Sequence, residues 1–307
     1  MVTTALPVGF DVVWFRNFAY RVTLSRMPAP VYVPPVRPPN PYDPLAFDRP
    51  LVNAIVPPLV IAFAVLVTLS PLGFLLTGFH IWVHEFGHAT VAWLTGKRAL
   101  PLPIGWTNIS PEKSLFVYVG VLALLAVLFA AGWKERKLSA IVAAMAIAVL
   151  QFYLTWMLPA EPARMWVVFG GVGGEFYLAA AMIGLFYFEL PEKFKWGACR
   201  YVFLFIGASS FFQTYVLWKK ILHGTEGIPY GSMVNGEDDA SGDMNTLHED
   251  FNWTQHDIIH RYNHLADACV IGLAIVYLVF VLRLDVAARK IVRWGEAGDH
   301  RQLADGQ

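Results

Sequence analysis

Seven apolar segments follow one another at about 51–70, 72–95, 114–132, 138–158, 164–190, 199–222 and 264–284. Each approaches or exceeds the roughly 20 residues that a helix needs to cross bilayer hydrocarbon. Charged residues make up 15% of the chain, against about 25% in a soluble domain. The pattern predicts an all-α polytopic membrane protein with about seven transmembrane helices. Lys+Arg and Asp+Glu are equal at 23 each, so no charge excess points to nucleic acid. Cys199 and Cys269 are far apart and form no C-x-x-C pair, which leaves neither a disulfide framework nor a cysteine metal site.

Three further regions flank or interrupt the spans. Residues 1–50 form an arm: 10–26 place Phe10, Val13, Trp14, Phe18 and Val22 near one helical face, as in a helix lying in the membrane interface. Nine prolines in 28–50 then force an extended path, a passive tether or a surface for a partner protein. The membrane domain covers 51–290, and 291–307 is a polar tail. Ser70-Pro71 reads as an N-cap and first-turn proline opening the second span. Gly96 reads as its C-terminal stop. The three prolines and alternating apolar residues of 97–113 predict a short hairpin or re-entrant segment, which at that depth must line a cavity or pack on protein. Its edge would suit a substrate peptide added as a strand.

Inside the second span stands His84-Glu85-Phe86-Gly87-His88, an H-E-x-x-H sequence. Positions i and i+4 share a helix face, so two imidazoles there can hold zinc while the Glu serves a water as general base. Chance would produce this pattern in about 1 in 100 chains of this composition. Three ionisable side chains in a lipid-embedded helix also call for a functional reason.

Two His leave a hydrolytic zinc site one protein ligand short. The loop 223–260 carries eight acids and no Lys or Arg, and seven crossings put it on the same side as 96–113. Asp243 is the first choice for the third ligand, with Gly242 before it to allow close approach. Asp239 and Asp238 come next, and then Glu175, which follows Gly170-Gly171-Val172-Gly173-Gly174 in the fifth span, where glycines let a helix or ligand come near. His80, one turn before the motif, reads as a group behind the ligands or on a water cavity. A second ladder, His256, His260 and His264, reads more simply as a surface stripe. Cations at 134–137, 193–200 and 283–293 make the side opposite the motif loops cytoplasmic, whereas five Arg in the N-terminal arm argue the reverse.

HEFGHATVAWLTGKRALPLPIG resembles the motif helix and following hairpin of the site-2-protease-like M50 membrane metallopeptidases. The resemblance is specific over about 25 residues. It implies an intramembrane endopeptidase with one Zn2+ per chain. His84 and His88 would be ligands, Glu85 the general base, and an Asp from a later segment the third ligand. The family's N-P-containing helix ending in Asp-Gly has no counterpart here, and Asp243-Met244 is the nearest substitute. The substrate would be a membrane-proximal peptide or membrane protein, and the location a bacterial-type cytoplasmic membrane or an organelle membrane. Two other readings stand beside it. One is a non-catalytic, protease-like subunit of a larger membrane complex. The other is a di-iron hydroxylase or desaturase, favoured by four H-x-x-x-H pairs and opposed by the lack of H-x-x-H-H.

Overall fold

The computed structural model describes residues 47, 49–194, 197–231 and 242–284. Nearly all of the 1–50 arm, the 291–307 tail, and Asp238 and Asp239 lie outside them. The described elements are α1 (Pro50–Leu69), a 3-10 turn (Pro71–Leu76), α2 (Thr77–Leu94), β1 (Lys97–Leu102), β2 (Trp106–Lys113), α3 (Leu115–Lys134), α4 (Leu138–Phe152) running into a π turn (Tyr153–Met157), α5 (Ala160–Gly184), α6 (Cys199–Leu222), α7 (Asp243–Glu249) and α8 (Gln255–Val281). Short 3-10 turns follow at Leu185–Tyr187 and Glu192–Phe194.

Among the described residues, six helices are long and apolar enough to cross a membrane: α1, α3, α4 with its π turn, α5 with the 3-10 turn after it, α6 and α8. The expected seventh, the motif helix, is not among them. His80, His84, Glu85 and His88 dilute its 18 residues, and these groups turn to protein rather than lipid. Ser70 does cap the segment, accepting from the Leu72 amide, but the turn it starts is 3-10, and the α-helix begins only at Thr77. The last span also starts earlier than its apolar run. Thr254 and Asp257 form a reciprocal capping box, so the polar residues 255–263 are its first turns.

The core is built on α5. Lipid cannot hydrogen-bond a backbone, so even a glycine-rich span stays helical, and its glycines then become places of close approach. An added Cβ on Gly87 of α2 would lie 2.1 Å from the Gly170 carbonyl and 2.8 Å from Gly174 Cα. The two helices therefore cross backbone to backbone, and the Tyr177 hydroxyl donates to the Gly87 carbonyl at 2.8 Å across the same seam. The other side of α5 packs on α6 and α8 through Phe169, Phe176, Phe211, Trp218 and Tyr262. Helices α3 and α4 pair mainly with each other and leave most of their surface for lipid.

The expected hairpin is present. Gly96 adopts φ +77°, which glycine tolerates and a helix C′ position favours. The chain then runs antiparallel from Ala99↔Ile109 to Leu102↔Trp106, with a bulge between Lys97 and Ala99. Trp93 Nε1 of α2 donates to the Ala99 carbonyl at 3.1 Å, and Lys113 Nζ to the Thr155 carbonyl. These bonds pin the hairpin beside the motif.

Candidate metal centre

His84 and His88 lie one turn apart on α2, and both rings face α5. His88 Nδ1 is 2.8 Å from the Val167 carbonyl. His84 Nδ1 is 2.6 Å from Glu175 Oε1. A carbonyl and a carboxylate only accept, so each Nδ1 carries its proton and each neutral ring presents a bare lone pair at Nε2. Those two Nε2 atoms are 3.2 Å apart.

Asp243 meets them. It is the first residue of α7, a short helix seated by buried Met244 and Leu247. The Asn245 side chain ties this helix to Gly231, accepting from its amide at 3.0 Å and so bringing the loop back. Asp243 Oδ2 lies 3.1 Å from His84 Nε2 and 3.2 Å from His88 Nε2. It is buried and accepts no hydrogen bond. Gly242 has φ −63° and ψ 143°, open to any residue, so the approach does not draw on a glycine-only conformation.

Three electron-rich atoms within 3.1–3.2 Å of one another repel unless positive charge sits among them. A tetrahedral ion with bonds of about 2.0–2.1 Å would have ligand–ligand edges of about 3.3–3.4 Å, close to what these atoms already make. This set could hold a metal ion, and it is the one such group of three among the described residues. The residues fit the ion that the motif implies.

Glu85, 5% exposed, faces the same cleft, a space of about 520 Å³. The Thr107 hydroxyl of β2 donates to its Oε2 at 2.5 Å and lies 3.1 Å from its backbone carbonyl. The remaining walls are apolar, with Trp106 and Ile109 from the hairpin, Val168 and Val172 from α5, and Leu217 from α6. Glu175, weighed as an alternative ligand, reaches the far nitrogen of His84 instead, and His80 stands behind it with Nε2 3.4 Å from Glu175 Oε2. His256, His260 and His264 stack along α8 at ring separations of 4.0 and 6.0 Å and form no converging ligand group among the described residues.

Sequence reasoning missed Thr107 and Thr214. Thr214 had a signal, since Ser210 and Thr214 form an i, i+4 polar pair inside a span. Thr107 had none, because its role depends on how the hairpin docks on α2, whereas Gly171 lies in the glycine run expected to admit a helix or ligand. No family model, curated protein or solved structure matches the chain.

Proposed function

We propose that the protein is an intramembrane zinc endopeptidase. The observation that carries this reading is the convergence of His84 Nε2, His88 Nε2 and Asp243 Oδ2 on one point, with the Glu85 carboxylate on the same cleft. Two imidazoles and one carboxylate form a donor set suited to zinc. A zinc ion bound there would supply Lewis acidity at a scissile carbonyl and acidify water.

The chain's own groups do the rest. Glu85 takes a proton from water in the cleft and returns it to the departing amine. Thr107 holds the carboxylate toward that water. Apolar side chains of the hairpin, α5 and α6 line the cleft beside these groups and suit an apolar substrate segment. A helical substrate hides its amides, so the peptide enters extended, and the hairpin beside the cleft offers it backbone partners. The di-iron reading would need a second ligand group beside His84, His88 and Asp243, and that trio is the single such group among the described residues.

The test is a metal assay paired with proteolysis in detergent or liposomes. Glu85→Gln should keep about one zinc per chain and abolish cleavage, because an amide cannot take the proton. His84→Ala should lose the metal. Equal cleavage by wild type and Glu85→Gln would remove Glu85 from the mechanism and the peptidase reading with it.

A further inference from the structure

Glu175 is a carboxylate in the middle of a span, 5% exposed. An intramembrane acid with no task is strongly disfavoured. Both of its oxygens are engaged. Oε1 lies 2.6 Å from His84 Nδ1. Oε2 accepts from the Thr214 hydroxyl at 2.5 Å and lies 3.4 Å from His80 Nε2. His80 Nδ1 is in turn 3.2 Å from Ser210 Oγ. The chain Ser210–His80–Glu175–His84 thus crosses three helices and ends at the ring whose other nitrogen faces Asp243.

Resting on the proposed metal reading, we infer that Glu175 is a positioning residue that locks the tautomer and ring plane of His84 and places a negative charge behind that ligand, which strengthens its hold on a divalent ion. The tautomer follows from the acceptor: a carboxylate on Nδ1 keeps the proton there and leaves Nε2 free to ligate. The charge acts through His84: Asp243 at the ion and Glu175 behind His84 are both anionic and each favours a bound divalent cation, beside the Glu85 carboxylate on the cleft wall. A Gln keeps one carbonyl acceptor for His84 and presents an amide donor toward Thr214 in place of the second acceptor, so it fills the same gap between the helices without the charge.

The experiment measures Zn2+ affinity by competition with a chromophoric chelator, and the visible absorption of the Co2+-substituted protein, for wild type, Glu175→Gln, Glu175→Ala and Thr214→Val. Partners behind metal-bound His typically change affinity about 10–100-fold. Glu175→Gln should weaken Zn2+ about tenfold and shift the Co2+ bands, with the elution profile unchanged. Glu175→Ala should weaken it about 100-fold. Thr214→Val leaves His84 untouched and should weaken binding several-fold, which keeps the test open if both Glu175 variants misfold. Wild-type affinity and spectrum in Glu175→Gln, or in Thr214→Val where only that variant folds, overturn the proposal and leave the peptidase reading standing. Wild type that binds metal, loses it in Glu175→Gln and cleaves no peptide overturns the peptidase reading alone. Wild type that binds neither Zn2+ nor Co2+ overturns both.

Discussion

Gly171 shows at the residue scale how little of a site is contained in its ligands. A Cβ added there would lie 2.4 Å from Asp243 Oδ2, 2.4 Å from His88 Nε2 and 2.5 Å from His84 Nε2. It would stand where an ion has to stand. Gly171→Ala should therefore cut Zn2+ affinity at least 100-fold, a loss as large as the strongest effects of groups behind a metal ligand, although no ligand is changed. Gly87→Ala should fail differently. Its Cβ would strike the Gly170 carbonyl and Gly174 Cα, so the α2–α5 seam opens and stability falls by about 1–3 kcal/mol or more. Chelator competition and thermal unfolding separate the two. Metal binding by Gly171→Ala equal to wild type would place the ion elsewhere. The sequence exposed the two His, the Glu and the glycine run because each is chemically odd inside a span. It could not assign Glu175 to the far side of His84, since that depends on which ring nitrogen α5 meets.

The hairpin holds the corresponding place at the scale of elements. It was legible from Gly96, three prolines and alternation, because turn chemistry is local. Its tie to the motif was not, because Pro101↔Thr107 pairing and the docking of β2 on α2 together decide that Thr107, rather than Asn108, reaches Glu85. The start of α8 failed for another reason: apolar content marks the lipid-facing part of a helix, whereas Thr254 and Asp257 mark where its hydrogen bonding begins. If Thr107 positions the base, Thr107→Val should lower kcat about tenfold or more, since hydrogen bonds to charged groups contribute about 1.5–3 kcal/mol. Zinc content should stay at the wild-type level, and Thr107→Ser should restore the rate. Steady-state cleavage kinetics read this directly, and an unchanged kcat in Thr107→Val would detach the hairpin from the chemistry.

For the whole molecule, two ends of the bundle can be assigned from contacts. Lys137 pairs with Glu189 at 2.5 Å, and the Glu135 carboxylate accepts from the Glu192 amide at 2.9 Å, so the turns after α3 and after α5 share one end. Arg164 pairs with Asp250, and Asp243 meets α2 near the hairpin, so the start of α5, the hairpin and α7 share the other. Helix α2 joins these two ends, yet its own hydropathy would not place it in a membrane. Its polar groups are spent on α5, α6, α7 and β2, while Trp82 and Phe86 remain exposed, a pattern that suits a helix held in a membrane by its neighbours. This predicts a labelling pattern. In a background with Cys199→Ser and Cys269→Ser, Leu72→Cys and Lys134→Cys should react with a membrane-impermeant maleimide from one side of sealed vesicles. Ile104→Cys at the hairpin turn and Thr225→Cys after α6 should react only from the other. Leu72→Cys and Ile104→Cys labelled from the same side would mean that α2 does not cross, and the metal centre would then belong to a membrane surface rather than to its interior.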